Sequence, residues 1–266
     1  MSTSRRTDVF PRSDIIAWRR VAPWADDDDV EQDLVITLAL FDIFGDAALR
    51  EQLAFRGGTA IHKLHVPPAA RYSEDIDLVQ RVPEGIGGTL DQLRRVLGWL
   101  GRGHSEIGEH PKLTFRFETE SGATRRLKLE INTHEHFGAV TSRLFAVSAD
   151  PVSNAVAIPT YALDELLATK LRALYQRRKG RDLFDLWWAG ERAAIDPERI
   201  ISVLRTYLGQ AGQPMIRLRE LSANLAAKSN PGYLGEVRPL LRADVAFDGA
   251  VAMRWVEDTF LPLFPA

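Results

Sequence analysis

Phe55-Arg56-Gly57-Gly58-Thr59-Ala60-Ile61-His62-Lys63-Leu64, a bridge holding Pro67 and Pro68, and then Arg71-Tyr72-Ser73-Glu74-Asp75-Ile76-Asp77-Leu78-Val79 say more about architecture than any other part of this 266-residue chain. In the second run Ile76 and Leu78 fall on one face of an alternating strand and Asp75 and Asp77 on the other, so the element buries an apolar side and presents two acids. In the first run the glycine pair breaks the preceding pattern. Thr59 is placed to cap a short helix carrying Ile61 and Leu64, which Pro67 and Pro68 end. A glycine pair that opens a helix offers backbone N–H groups and positive dipole to a phosphate. Taken singly, the glycines fit an ordinary turn and the acids a wet sheet face; together they describe a site for a metal-bound nucleotide. Ser73, two residues before Asp75, shares its side if the alternation extends that far, either as a phosphate contact or as a strand-entry serine.

Upstream, Asp26-Asp27-Asp28-Asp29 stands where acids favour a helix start, and Leu34, Leu38, Phe41 and Leu49 recur behind it at helical spacing. Downstream, a helix is expected over 90–100. Leu113, Phe115 and Phe117 then alternate with Thr114, Arg116 and Glu118 as a second strand. After a turn at Ser121-Gly122, Leu127, Leu129 and Ile131 alternate with Lys128, Glu130 and Asn132 as a third. Hairpin pairing puts Glu130 on a polar face of the same sheet, where it completes a carboxylate triad with Asp75 and Asp77. Three converging carboxylates repel one another unless cations sit between them, and oxygen-only ligation suits Mg²⁺ or Mn²⁺.

Strand signals fade from about residue 159 and helices take over. The expected fold class is therefore α+β, with a mixed sheet flanked by helices over 1–155 and a helical domain over 156–266. Leu163, Leu166, Leu167, Leu171 and Leu174 form one helical stripe with Lys170 near its centre. A lysine among leucines needs a partner or a route to water: either it snorkels at the rim, or its ammonium meets a phosphate or an acid. After Gly180, the run Arg181-Asp182-Leu183-Phe184-Asp185-Leu186-Trp187-Trp188 starts a helix apolar on most sides. Asp182 then caps the helix start, meets a cation, or both. The two tryptophans are expected to pack the helical domain, and His134 and His136 to be surface residues.

Composition narrows the classes without choosing among them. The chain is 45% hydrophobic and has no cysteine, so it can bury a full core, and disulfides and thiolate metal sites are excluded. Arg5 and Arg6 are not followed by an apolar core and no window has the length of a membrane span, which leads to the expectation of a cytoplasmic protein without membrane contact. With 34 basic and 36 acidic residues the net charge is −2, so nucleic-acid contact must come from a local patch. Arg172, Arg177, Arg178, Lys179 and Arg181 are the candidates for one; the plainer reading is a solvated helix end.

The order Gly-Gly-Thr, Ser-Glu-Asp-Ile-Asp-Leu, Lys-Leu-Glu-Ile, Ala-Thr-Lys-Leu-Arg-Ala-Leu and Gly-Arg-Asp-Leu-Phe-Asp-Leu resembles the AbiEii family of nucleotidyltransferases, the toxins of type IV toxin–antitoxin and abortive-infection systems that include the mycobacterial MenT toxins. The likeness spans roughly residues 50 to 190. Within the wider polymerase-β-like superfamily the two-acid strand is common, whereas its combination with the later Lys and Arg-Asp elements is more selective. The resemblance implies that Gly57, Gly58 and Thr59 position a nucleoside triphosphate, that Asp75 and Asp77 bind metal, that Lys170 and Asp182 are functional, and that Glu130 is the third acid. It further implies transfer of a nucleotide to RNA, in some members the tRNA 3′ end, and an antitoxin encoded nearby. A small-molecule acceptor of the antibiotic-modifying kind, or a fold retained as a non-catalytic binding module, are the alternatives.

Overall fold

The computed structural model describes residues 10–136 and 138–265; Arg5 and Arg6 lie outside them. The chain divides into two compact units, one comprising the residues up to Leu64 with Pro68–Tyr161, the other Ala162–Ala266 with the short stretch His65–Pro67. The architecture is α+β. A seven-stranded mixed sheet with helices forms the N-terminal part and the C-terminal part is helical.

Helix α1 (Arg12–Trp18) leads to α2 (Asp27–Gly45), the longest helix of the first unit. The acid run acts as expected: the Asp26 carboxylate accepts the N–H of Asp28 at 2.8 Å, and Asp27, Asp28 and Asp29 fill the first turn against the helix dipole. The helix does not extend to Leu49. Asp46 closes it and at once caps α3 (Ala47–Gln52) by accepting the N–H of Leu49 at 3.0 Å, so the break falls at Gly45-Asp46 and one polar residue ends one helix and starts the next.

The strands are β1 (Leu53–Arg56), β2 (Asp75–Gln80), β3 (His104–Glu106), β4 (Lys112–Glu118), β5 (Thr124–Asn132), β6 (Val140–Ala149) and β7 (Val152–Tyr161), in the order β3-β4-β5-β2-β1-β7-β6. Helix α4 (Gly57–Ala60) and a π-helical turn (Ile61–His65) follow β1 directly, and α5 (Gly87–Val96) lies between β2 and β3. Strand β2 runs antiparallel to β1 and parallel to β5, while β4 and β5 form the expected hairpin through Gly122, whose φ of +83° suits the turn. Leu113, Phe115, Leu127, Leu129, Ile131, Ile76 and Leu78 are buried on the sheet, as is nearly all of α2, which packs on β5 and β7. Strand β7 joins the sheet beside β1, with Phe55 opposite Thr160, and so carries the first unit through residue 155 to Tyr161.

The second unit consists of α6 (Leu163–Gln176), α7 (Gly180–Arg192), α8 (Pro197–Gln210), α9 (Leu218–Lys228), α10 (Pro231–Gly235) and α11 (Gly249–Phe260). Its core includes Leu166, Leu167, Leu171 and Leu174 from α6. Phe184 stacks on Trp188 at 5.5 Å and Trp187 meets Phe247 at the same centroid distance, so both tryptophans pack within this unit. Among the described residues no helix is long and apolar enough to cross a membrane.

Candidate nucleotidyl-transfer site

Strand β2 sets the site. Asp75 and Asp77 are two apart and share a face, with Ile76 and Leu78 buried on the other. The parallel register places Asp77 beside Glu130 and Asp75 beside Lys128, so the three acids of the sequence reading stand on one face across two adjacent strands, about 4.8 Å apart. Lys128 had no part in that reading, yet its ammonium lies 2.9 Å from Asp75 and 3.7 Å from Glu130. Burial works to lower its pKa, but the hydrogen bond and charge of Asp75, with the charges of Glu130 and Asp77, outweigh it and hold the ammonium above the usual lysine value.

On the other flank of β2, Arg56 of β1 stands opposite Asp77 and pairs with Glu135 at 2.5 Å. Gly57 follows with φ +80°, and a Cβ built there falls 2.0 Å from the Asp77 Oδ2. The Asp77 carboxylate therefore occupies the space a side chain would take, so the first glycine is required twice, for its backbone angle and for its missing Cβ. Thr59 does not cap the helix. Its hydroxyl lies 2.6 Å from the Ser73 hydroxyl and donates to the Asp75 carbonyl at 2.9 Å, tying α4 to the entrance of β2. Ser73 lies just before the strand and is engaged by this contact. Farther along, Lys63 forms a buried pair with Asp33 of α2 at 3.0 Å and donates to Thr37 at 3.1 Å, which anchors the helical turn after Gly57 to the core. That pair joins residues thirty positions apart, and no local pattern announces it.

The donor set fits a hard divalent ion in its chemistry: carboxylate oxygens only, gathered round a cation, here the Lys128 ammonium. Among the described residues no three His, Asp or Glu side chains are already drawn close enough to hold an ion between them. His134 and His136 are instead bonded to backbone carbonyls, of Glu109 at 2.9 Å and Gln80 at 2.8 Å.

The structure does not group all the sequence candidates together; Lys170 and Asp182 belong to the second unit, where they meet each other. The Lys170 ammonium lies 3.1 Å from Asp182 and 2.9 Å from Asp185, both fully buried. Lys170 is thus a buried partner of two acids rather than a snorkelling lysine. Asp182 lies inside α7 and makes no cap; it also accepts two hydrogen bonds from Arg177, at 2.7 and 2.9 Å. Burial raises its pKa, but the Lys170 charge and the Arg177 bond and charge prevail and hold it below the ordinary aspartate value. Of the proposed basic patch, Arg177 is thereby engaged and Arg172 lies over the Tyr207 ring at 5.1 Å.

A sequence profile described as "Nucleotidyl transferase AbiEii toxin, Type IV TA system" matches residues 38–253. The chain belongs to the AbiEii family. This AbiEii protein is a nucleotidyltransferase toxin of the type IV toxin–antitoxin class, which implies a nucleoside triphosphate substrate and an antitoxin partner. Among solved structures it is similar to MenT4, a nucleotidyltransferase toxin from Mycobacterium tuberculosis H37Rv, with TM-score 0.69 and 17% identity over 97% of this chain and 91% of that one. A nucleotidyltransferase-like antigenic protein from Paracoccidioides brasiliensis matches with TM-score 0.41 and 18% identity, over 77% of this chain and 95% of that one. No curated protein matches.

Proposed function

We propose that this AbiEii toxin transfers a nucleoside monophosphate from a nucleoside triphosphate to an RNA hydroxyl, with the tRNA 3′ end as acceptor, and thereby blocks translation. The acceptor oxygen forms a bond to the α-phosphorus as the bond to the β-phosphate oxygen breaks, and pyrophosphate leaves. Asp75 and Asp77, with Glu130 beside them, would hold Mg²⁺ or Mn²⁺, which supplies Lewis-acid neutralisation of phosphate charge when bound. Gly57 and Gly58 present backbone N–H groups to the triphosphate, and Thr59 and Ser73 hold the loop against the acid strand. Lys170 and Asp182, paired with each other in the second unit, are the further functional residues of this reading.

The observation that carries this reading is the Asp77 carboxylate lodged where a Gly57 side chain would be, in register with Glu130 and on the same strand face as Asp75. It sets the loop proposed to bind phosphate directly against the acid strand. The test is incubation with each of four labelled nucleotides and either total RNA containing tRNA or a panel of aminoglycosides. Label is expected on RNA, with Asp75→Asn and Asp77→Asn each reducing transfer more than about a hundredfold at unchanged fold. Label on aminoglycosides alone, or full activity of Asp75→Asn, overturns it.

A further inference from the structure

The acid strand has two flanks. Toward β1 lies the glycine-opened helix; toward β5 and β4 the same sheet face is basic. The antiparallel register sets Arg116 of β4 directly opposite Arg126 of β5, and both side chains are exposed. Like charges directly opposite across a strand pair are destabilising. Here, among the described residues, neither guanidinium has an ion-pair or hydrogen-bond partner. Arg125, their neighbour on the opposite face, differs: it pairs with Asp29 at 3.1 Å.

Arg116 and Arg126 also line a cavity of about 360 Å³, walled further by Thr124, the acid-paired Arg125, Tyr72, Gln32 and the acid Glu74. Two residues along β5 from Arg126, on the same face, stands Lys128, and one strand across from Lys128 stands Asp75. A line of basic side chains, Arg116, Arg126 and the acid-paired Lys128, therefore runs from the cavity toward Asp75 and Asp77, on a chain whose net charge is −2. The triphosphate is accounted for on the glycine flank, so an anion on the arginine flank belongs to the other reactant.

We propose that Arg116 and Arg126 form the acceptor subsite, binding the phosphodiester backbone of a single-stranded RNA end so that its terminal hydroxyl lies at Asp75 and Asp77. This rests on the nucleotidyl-transfer reading and adds the place where the acceptor lands.

The test measures binding without turnover. A fluorescein-labelled single-stranded 12-nucleotide RNA is titrated with the full chain in metal-free buffer at several salt concentrations, using wild type, R116A/R126A and R126E. Fluorescent nucleoside triphosphates are titrated separately. The double variant is expected to bind RNA about tenfold more weakly or worse. Its log–log salt dependence should be shallower by about 1.4, at about 0.7 per lost single-strand phosphate contact. Nucleotide affinity should stay within twofold, and the melting midpoint should be unchanged or higher because the cross-strand repulsion is gone. R126E should weaken RNA binding further than the double alanine.

Unchanged RNA affinity and slope in both variants, absence of RNA binding by wild type, or a loss of nucleotide affinity equal to or greater than the loss for RNA overturns the assignment. D75N separates the two claims. It should bind RNA like wild type while transferring nothing, and a wild type that binds RNA through these arginines yet transfers no nucleotide refutes the enzymatic reading alone.

Discussion

At Gly57 a single hydrogen in place of a methyl group makes room for the Asp77 carboxylate. Gly57→Ala would place a Cβ 2.0 Å from Oδ2 at a φ of +80°. Either the aspartate rotates away or the loop moves, and the left-handed angle alone costs about 1–3 kcal/mol for a residue with a side chain. The expected outcome is a folded protein of lowered denaturation midpoint that has lost nucleotide transfer, checked by urea unfolding and the labelled-nucleotide assay. Transfer at the wild-type rate would show that Asp77 need not sit there. The glycine pair is legible in the sequence as a break that opens a helix, but the identity of the side chain that fills the vacated space is not. That depends on the pairing of β1 with β2, which sets Arg56 opposite Asp77.

Among elements, strands with one wet and one buried face announce themselves. Strands β2, β4 and β5 alternate cleanly and were legible from the residues alone. Strand β1 was not, because Leu53, Ala54 and Phe55 are all buried and an unbroken apolar run reads equally as the end of a helix. Strand β6 escapes for the opposite reason: it lies at the sheet edge, with most of its side chains in solvent. Lys128 was visible as a polar-face residue, but its place beside Asp75 is a matter of parallel register, which no local pattern encodes. The link between the glycine-opened helix and the acid strand is similarly hidden, since it passes through the Thr59 hydroxyl. Thr59→Val removes its contacts to Ser73 and the Asp75 carbonyl. It should cost about 1 kcal/mol of stability and raise the KM for nucleotide more than it lowers kcat, whereas Ser73→Ala, which keeps the bond to Asp75, should have the smaller effect. Steady-state kinetics and denaturant titration of the two variants decide this.

At the scale of the molecule, the change from alternating to helical periodicity was legible, while the last stretch of sheet before it was not, because β7 does not alternate: residues 153–157 are largely exposed and 158–161 all buried. Within the helical unit the buried Lys170, Asp182 and Asp185, with the exposed Arg177 on Asp182, give a pH signature. The folded pKa of Asp182 is depressed, so its contribution is present above the unfolded value of 3.8 and is lost as pH falls through the lower folded one. Asp182→Asn should destabilise the protein at pH 7 toward the lower end of the roughly 3–5 kcal/mol typical of a broken buried pair, because Asp185 still holds Lys170. Urea unfolding at pH 7, 5, 4 and 3 should find the gap between wild type and variant closing below about pH 4; a gap constant down to pH 3 would assign the aspartate no such role.

Strand β2 is the fourth of seven, with three neighbours on either side and a ladder along each edge. Gln32 of α2 adds a clasp, donating to the carbonyls of Glu74 and Arg126 at 3.3 and 3.2 Å. Its peptide protons should accordingly be among the last in the sheet to trade for deuterium, at rates set by opening of the whole unit, while those of β3 and β6 exchange early. On the proposed reading, the backbone that carries Asp75 and Asp77 is held still, and whatever adjustment capture demands comes from the periphery.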